Sequence, residues 1–477
     1  MAKKMEVRKT SSLLNTAIDA LLQILAHTCG ISLSFVPLLF TYLNITQKDY
    51  FIDEKFHVPQ TIQYCNGNFF EWDQKITTLP GLYLFAAAIL GPFKFCTITH
   101  LRLLNVFFTY INVWLAYLIL NKQRREKVTK QEENLRVYSL FLRAWNIAFF
   151  PPLFFWFFLY YTDVFSVTLI LLMFLCYISR KDKSAAFVGL LTICVRQTNV
   201  IWVAYIGIER GFDAIDQLTK KPQYTNTLNL FPCIKTLFGI FRAKARHGTV
   251  KFLQFTKSFC MPFIHYLLVL IAFAVFVTYN NGIVVGDRSA HKPTIHAVQI
   301  FYFSMFVIAF AWPYLLPYIS KPLELLSDHI VASTCIIGVI VHHNTLVHPY
   351  ILADNRHYSF YVWKNLMNRY HLFKYLLVPM YAFALHAILK SISHMRKLSI
   401  LSLAFCTCAV LVPQLLLEPR YFIIPYILYR LQLKEPKHWQ LVAETVTIIL
   451  VNIFQFYLFT SKSFSWADEK HPQRIAW

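Results

Sequence analysis

The sequence is dominated by a long series of apolar segments that carry almost no charge. Most are about 20 residues long, which is the length that an α-helix needs to cross a lipid bilayer. Only 15% of the 477 residues are charged, whereas soluble domains carry about 25%. The pattern predicts an all-α polytopic membrane protein with about 11 to 14 transmembrane helices and excludes a soluble globular protein. We expect one integral membrane domain over 21–477, preceded by a short segment over 1–20.

Basic residues outnumber acidic ones, with 46 Lys and Arg against 24 Asp and Glu. In a soluble protein this excess would suggest nucleic-acid binding, but in a membrane protein basic residues mark the loops that stay in the cytosol. By this rule the N-terminus and the basic loop over 209–258 are cytosolic, and the loop over 44–79 lies across the membrane. The polar segments 286–296, 348–370 and 418–421 fall on the same side as 44–79. We therefore expect contact with membrane lipid and no nucleic-acid partner.

Two segments do not fit a simple count of crossings. The loop over 121–137 is basic and should be cytosolic, but hydropathy suggests two crossings between 80 and 120, which would place it on the opposite side. Either one apolar run in that stretch is re-entrant, or the loop departs from the rule. The second segment, 185–208, is apolar except for the polar stretch 196–199. Because an arginine that faces lipid is costly, we expect the helix to break there, at a cavity lined by protein or water.

Two adjacent carboxylates, Asp53 and Glu54, lie in the loop over 44–79. Neighbouring side chains point in different directions, so one carboxylate can face a substrate while the other pairs elsewhere. If the segment is helical, Asp53 and His57 share one face. A partly desolvated carboxylate beside aromatic rings is suited to act as a general base. The alternative is a solvated acidic turn in which Asp53 caps a helix.

Four arginines lie in short polar turns at the predicted membrane edges: Arg196, Arg288, Arg356 and Arg420. A guanidinium presents a fixed fork of donors that can hold a phosphate through two parallel hydrogen bonds. Four of them on one face would favour a ligand that bears phosphate. For any single arginine, the alternative is local pairing, such as that of Glu418 with Arg420.

The sequence predicts no metal or cofactor. Four histidines between 342 and 357 lack a compact zinc-binding spacing. The chain has 12 glycines and no glycine-rich phosphate loop, which argues against nucleotide-driven transport. Only Cys65 lies in a long polar loop, so we expect disulfides to play no major role. The aromatic run over 154–161 indicates packing and an interfacial belt, with Asp163 at its end as a weak site candidate.

Several long polar strings in the chain are rare enough to identify a family. They are Asp53-Glu54, Phe56-His57, Pro59-Gln60, Tyr64-Cys65, Trp72-Asp73, 76–83, 150–152, 160–163, 196–199, 286–289, 352–358, 361–363 and 418–421. By these strings the chain resembles, over 50–430, the eukaryotic dolichyl-phosphate-glucose-dependent alpha-1,2-glucosyltransferases, which add the last, third glucose to the lipid-linked oligosaccharide for N-glycosylation in the endoplasmic reticulum. Two departures are Gln74, where the family pattern leads us to expect proline, and the loop over 209–258, which matches no motif.

The resemblance implies a GT-C architecture, which is a many-helix bundle with its active site in luminal loops. It also implies a dolichyl phosphate glucose donor, a dolichyl-diphosphate-linked oligosaccharide acceptor and inversion at the transferred sugar. No divalent metal is expected. By similarity, Asp53 is the expected base and Glu54 its rival. The donor phosphate is assigned to Arg196, Arg288, Arg356 and Arg420, and the sugars to His57, Trp72, Asp73 and Asp354.

Two readings from other classes compete with this one. A transporter or flippase for a lipid-linked sugar would also contain broken helices and intramembrane arginines, but it should show internal repeats and charges near mid-membrane. A non-catalytic membrane subunit would need neither an acidic pair nor several arginines on a single side. The clustering of polar motifs on one face therefore favours the enzyme.

Overall fold

The computed structural model describes the backbone of residues 2–124, 130–220, 225–228, 231–246, 248–288, 293–319, 328–467, 469 and 471–477, and their side chains except for 2–14, 130–133, 319 and 328–330. Parts of three predicted loops, 121–137, 209–258 and 286–296, therefore lie outside the described residues. So do many of the basic side chains that were used to orient the N-terminus.

The described chain is mostly helical, which confirms the prediction of an all-α polytopic membrane protein. Its strand pairing is limited to a short antiparallel pair near the C-terminus, β1 (Ser463–Phe464) and β2 (Gln473–Arg474), and an isolated bridge between His357 and Ala476. The helices are α1 (Ala2–Thr46), α2 (Glu54–Cys65), α3 (Gly81–Leu90), α4 (Ile98–Gln123), α5 (Lys130–Ala148), α6 (Pro151–Trp156), α7 (Thr162–Ile178), α8 (Asp182–Val195), α9 (Val200–Thr219), α10 (Phe231–Arg246), α11 (Thr249–Tyr279), α12 (Gln299–Ile319), α13 (Asp328–Asn344), α14 (Pro349–Ala353), α15 (Tyr358–Val362), α16 (Phe373–Ser391), α17 (Lys397–Leu411), α18 (Ile423–Gln432) and α19 (His438–Ser461).

Six helices of the described chain are long and apolar enough to cross a membrane. A seventh crossing is possible if α5 and α6, which meet at a bend of 62°, form one broken span. Other apolar helices have only 10 to 17 residues, so the predicted total of about 11 to 14 crossings stays a prediction. Helix α1 runs without a break through residue 20, and the domain boundary expected there also stays a prediction.

The two apolar runs between 80 and 120 behave differently. Helix α3 has 10 residues and spans only about 15 Å, too short to cross a bilayer. Helix α4 has 26 residues and is long enough. A single crossing in this stretch is what a cytosolic loop over 121–137 requires, so the structure favours the alternative in which one run does not span.

A disulfide joins Cys65, at the end of α2, to Cys96, just before α4. The sequence analysis was wrong to expect no important disulfide, because it placed Cys96 inside an apolar run. Disulfides persist in oxidising compartments.

The aromatic segment over 154–161 lies in the core of the protein, with every residue at most 6% exposed. The sequence analysis placed these rings partly in an interfacial belt, which is wrong for this segment. The bend between α5 and α6 turns the run inward, where Phe155 packs on Phe459 of α19 with ring centroids 4.9 Å apart. The same turn brings Tyr160 and Tyr161 beneath α2.

Candidate active site

The candidate site lies at one end of the helix bundle, where α2 begins. Glu54 is the first residue of α2 and Asp53 immediately precedes it. The two carboxylates point in different directions, as the sequence suggested: the Asp53 side chain is 34% exposed, whereas the Glu54 side chain is 0% exposed. The Asp53 side chain makes no helix-capping hydrogen bond, so the capping alternative does not describe it.

Glu54 is held inside the protein by four hydrogen-bond donors. The Arg102 guanidinium of α4 donates to both carboxylate oxygens, at 2.8 and 2.5 Å. The backbone N–H groups of Phe51 and Tyr160 donate at 2.9 and 2.7 Å. Arg102 is also fully buried and donates to the carbonyls of Gln47 and Asp49. A carboxylate with this many partners and no access to solvent holds the first loop onto the bundle.

Asp53 faces an arginine from a distant part of the chain. Arg420, in the 3₁₀ turn Pro419–Phe422, donates from Nη1 to Asp53 Oδ2 at 3.2 Å and from Nε to Glu418 Oε2 at 3.0 Å. The guanidinium also lies over the rings of Trp156 and Tyr161, at 5.1 and 5.5 Å from their centroids. The predicted local pairing of Glu418 with Arg420 is therefore present, but Arg420 reaches the candidate base as well.

Tyr161 fixes the backbone beside Asp53, although the sequence analysis gave it no role at the site. Its hydroxyl accepts a hydrogen bond from the Asp53 N–H at 3.0 Å and donates one to the Phe51 carbonyl at 2.9 Å. Because Tyr161 is 1% exposed, its ring cannot move without disturbing the core. Tyr161 follows the inward turn of the aromatic run, a feature that its sequence neighbours alone did not reveal.

Charge and burial act in opposite directions on Asp53. Burial raises the pKa of the carboxyl, but the charge of Arg420, and that of His57 once it is protonated in acid, outweigh burial and hold the pKa below its usual range. Burial dominates at His57 and lowers its pKa. At neutral pH, the pair is therefore an ionised carboxylate beside a neutral imidazole.

His57 lies one turn into α2 and contacts a buried phenol. Its Nδ1 is 2.7 Å from the hydroxyl of Tyr83, which in turn lies 3.4 Å from the Thr78 hydroxyl. Trp72 packs against the Tyr83 ring, with centroids 6.1 Å apart, and its indole N–H has no hydrogen-bond partner in the described structure. Asp73, by contrast, stabilises its own turn by accepting a bond from the Lys75 N–H at 2.9 Å.

The polar stretch 196–199 forms the break that the sequence predicted. Helix α8 ends at Val195, a 3₁₀ turn follows, and α9 begins at Val200. Arg196 pairs with Asp163, the weak sequence candidate at the start of α7. Asp163 is 2% exposed and its Oδ2 has no partner among the described residues. Its charge also acts on Arg420 and His57, which places this pair beside the Asp53 group.

Arg288 lies on a loop that packs against the first loop. The Asp287 N–H donates to the Gln74 carbonyl at 2.7 Å. Gly286 has a φ of 72°, and a Cβ there would lie 2.4 Å from the Gln74 carbonyl oxygen, so no other residue fits. The exposed Arg288 guanidinium donates to carbonyls of its own loop, at 2.8 Å to Asn281 and 3.2 Å to Val284. The structure does not place it in contact with Asp53.

Arg356 and Asp354 form a local pair that the C-terminal tail completes. Arg356 donates from Nη2 to Asp354 Oδ2 at 2.7 Å and from Nη1 to Gln473 Oε1 at 3.2 Å. Its guanidinium also lies 4.5 Å from the Trp466 ring centroid. The charge of His357, the next residue, acts on Asp53. The segment 348–370 therefore lies within electrostatic range of Asp53, while Arg356 is held by the tail.

The tail over 462–477 is the element that the sequence analysis missed. Glu469 forms an ion pair with Lys55 of α2, with 2.8 Å between Oε1 and Nζ. The Ala476 N–H donates to the Arg356 carbonyl at 2.7 Å, and the Trp477 carbonyl oxygen lies 2.9 Å from His357 Nδ1. No family string was recognised in this region, so the only available signal was its polarity after the last apolar segment.

No group of three or more His, Cys, Asp or Glu side chains that could hold a metal ion occurs in the part of the chain that the structure describes. His342 instead contacts the Tyr375 hydroxyl, 2.6 Å from its Nδ1. His348 Nδ1 accepts from the Tyr350 N–H at 3.1 Å, and His357 Nδ1 lies 2.9 Å from the Trp477 carbonyl oxygen.

The fold and site together define a polytopic all-α membrane protein with an accessible carboxylate–arginine pair at one end of its bundle. A family model described as the DIE2/ALG10 family matches residues 47–431, and the chain belongs to that family. No solved structure matches the chain, so the GT-C architecture stays a prediction.

Curated relatives match over nearly the whole chain. A protein of Homo sapiens named Dol-P-Glc:Glc(2)Man(9)GlcNAc(2)-PP-Dol alpha-1,2-glucosyltransferase is 36% identical over 469 residues, covering 92% of this chain and 96% of its own length. Proteins of the same name from Drosophila melanogaster and Arabidopsis thaliana are 35% and 30% identical; they cover 92% and 94% of this chain and are themselves covered over 96% and 98% of their lengths.

Proposed function

We propose that this protein transfers glucose from dolichyl phosphate glucose to the 2-hydroxyl of the terminal glucose on a diglucosylated dolichyl-diphosphate oligosaccharide. This is the last step in assembling the precursor for protein N-glycosylation. The activity for which relatives matching 92% of the chain are named supports this reaction. The observation that carries the mechanism is the contact between Asp53, which is accessible, and Arg420.

The transfer is a single inverting displacement. Asp53 accepts the proton of the acceptor 2-hydroxyl as its oxygen attacks the anomeric carbon of the donor glucose. The bond from that carbon to the phosphate oxygen breaks, and dolichyl phosphate leaves as an anion that needs no proton. The geometry favours Asp53 over Glu54 for this role, because Glu54 is fully buried and its oxygens are occupied by four donors.

Arg420 is the principal residue for the donor phosphate. Its guanidinium is held by two aromatic rings and Glu418 while it contacts Asp53. When a phosphate shares the Arg420 charge, the guanidinium lowers the Asp53 pKa less, and the carboxylate becomes a stronger base at the moment the donor is bound. We assign supporting roles in holding the donor phosphate to Arg196, Arg288 and Arg356, whose donors the structure shows on Asp163, on loop carbonyls and on Asp354.

The sugar-binding assignments follow from the same surface. His57 is neutral and adjoins the candidate base, so it can hydrogen-bond a sugar hydroxyl. The Trp72 indole N–H is buried, so Trp72 offers the sugar the apolar face of its partly exposed ring. Asp73 and Asp354 act indirectly, because Asp73 fixes its own turn and Asp354 orients Arg356.

We place the protein in the endoplasmic reticulum membrane, with the site in the lumen and the N-terminus in the cytosol. The Cys65–Cys96 disulfide supports the luminal position of the first loop. The positive-inside rule supports the same orientation. We propose that no divalent metal takes part, since phosphate is a good leaving group and arginine supplies the positive charge.

The test compares purified wild type with Asp53→Asn in detergent, given dolichyl phosphate glucose and the diglucosylated lipid-linked acceptor. Addition of one hexose is followed by mass, with chelator and with added divalent ions. We expect wild type to transfer glucose in both conditions and Asp53→Asn to lose about 10²- to 10⁴-fold in rate while remaining folded. Normal turnover by Asp53→Asn would refute the base assignment, and no transfer by folded wild type would refute the reaction.

A further inference from the structure

A second polar cavity lies at the opposite end of the helix bundle from the candidate active site. Its volume is about 1170 Å³, within the size range of ligand pockets. Helices α4, α7, α17 and α18, whose other ends adjoin the candidate site, contribute walls to this cavity. It is therefore separate from the site described above.

The lining of this cavity is unusually rich in charge. Eight Lys or Arg side chains and four Asp or Glu side chains line it. Each of the four carboxylates already has a basic partner. Glu209 and Asp216 pair with Arg396, Asp213 pairs with Arg180, Arg210 and Arg396, and Glu435 pairs with Arg136.

Glu209 shows how completely the acidic side of the cavity is satisfied. It accepts from Arg396 at 2.9 Å and from the hydroxyls of Ser399 and Ser402 at 2.7 and 2.9 Å. It has little capacity left to bind a cation. A ligand that enters the cavity therefore meets an excess of positive charge.

Arg143 of α5 lines the cavity without a carboxylate in direct contact. It is 9% exposed and forms no ion pair with a described carboxylate. Its hydrogen bond in the described structure goes from Nη2 to the Leu433 carbonyl, at 3.3 Å. Glu435, which pairs with Arg136, and Glu444, which Arg430 and Tyr314 bind, act on it at longer range. The remaining donors of the guanidinium are open to the cavity, where a phosphate can bind them.

We propose that this cavity is a second binding site for a phosphate group, held by Arg143 with Lys122 and Lys434 at the rim. The planar fork of a guanidinium matches two oxygens of a phosphate, and the two lysines add charge where the cavity opens. The phosphate can come from the headgroup of an anionic phospholipid in the adjoining leaflet or from a soluble phosphorylated compound.

The experiment measures binding on the full-length protein in detergent by native mass spectrometry. One arm titrates phosphatidic acid against phosphatidylcholine with the same acyl chains, and the other titrates inorganic pyrophosphate. The variants are Arg143→Gln and the rim pair Lys122→Gln with Lys434→Gln. The matched control is Lys235→Gln with Arg246→Gln, two exposed basic residues of α10 that do not line the cavity.

We expect Arg143→Gln to weaken binding of one of the phosphate probes by about tenfold or more, the rim pair to weaken it less, and the control to match wild type. All of these proteins keep the candidate active site, so the difference in binding between wild type and a cavity variant measures binding at the cavity. The arm that responds identifies the source, lipid or soluble.

Equal binding by wild type and both cavity variants would refute the proposal. The proposal would also be refuted if wild type bound phosphatidic acid no better than phosphatidylcholine and did not bind pyrophosphate. If Arg143→Gln does not fold, the exposed rim pair decides the question alone. The readout is independent of glucose transfer, so failure here leaves the proposed reaction untouched.

Discussion

The buried pair between Glu54 and Arg102 should decide the stability of the first loop. Both side chains are 0% exposed, and two oxygens of Glu54 accept four hydrogen bonds. In Glu54→Gln the amide keeps the shape but leaves the Arg102 charge buried without a counter-charge. Breaking one partner of such a pair costs about 3–5 kcal/mol. For a chain of this length, that corresponds to a fall of about 4 °C in Tm.

The assay is unfolding of the purified protein in mixed micelles, followed by circular dichroism, with Asp53→Asn as the control. Asp53 is adjacent but 34% exposed, so we expect its substitution to change the free energy of unfolding by less than about 1 kcal/mol. A loss below about 1 kcal/mol in Glu54→Gln would contradict the structural role. Full stability with lost turnover would make Glu54 the base instead.

A double-mutant cycle with Arg102→Met tests the physical cause. If the unpaired charge destabilises Glu54→Gln, removing that charge should make the double variant lose at least about 1 kcal/mol less than the sum of the two single variants. Rescue will be incomplete, because Arg102 also binds two backbone carbonyls. Strict additivity would show that the cost of Glu54→Gln arises elsewhere.

Three further changes test other parts of the site. Gly286→Ala should push the loop of Arg288 away from the first loop and reduce glucose transfer, because the new Cβ would lie 2.4 Å from the Gln74 carbonyl oxygen. Gly239→Ala is the matched control for turnover and Tm, since no atom lies within 4 Å of a Cβ at that position. Cys65→Ser should remove the disulfide with Cys96 and lower the free energy of unfolding by about 3–4 kcal/mol for a loop of 31 residues; a reductant should destabilise wild type equally and leave the variant unchanged. The pKa of Asp53 is lowered, so the acid limb of the kcat/KM profile should lie below about pH 4. Arg420→Gln removes the main cause of the lowered pKa and should move that limb to higher pH. An unmoved limb would show that another group titrates.

The sequence located most of the candidate site but could not assign its roles. Asp53 and Arg420 were both chosen from short polar turns, and the structure brings them to 3.2 Å although they are 367 positions apart. Arg288 and Arg356 were chosen by the same reasoning, yet their donors are used by nearby carbonyls and by Asp354. A turn sequence shows that an arginine is at the surface, whereas its direction depends on what packs against the turn.

The break at 196–199 was predictable because an arginine facing lipid is unfavourable whatever surrounds it. The inward turn at 154–161 was not, since an aromatic run suits both an interface and a core. The tail was missed for a related reason: its contacts with Lys55 and Arg356 join distant parts of the chain, and no local pattern records them.

The sequence by itself determined the class of protein, because apolar segments of bilayer length can satisfy their backbone only as helices and because basic residues orient the loops. Tertiary structure alone decided which of two adjacent carboxylates is accessible. Glu54 is buried because Arg102, from another helix, meets it, and Asp53 remains available because its partner Arg420 lies at the open end of the bundle. Neighbouring residues share a local sequence but not an environment, and it is the environment that sets charge, exposure and reactivity.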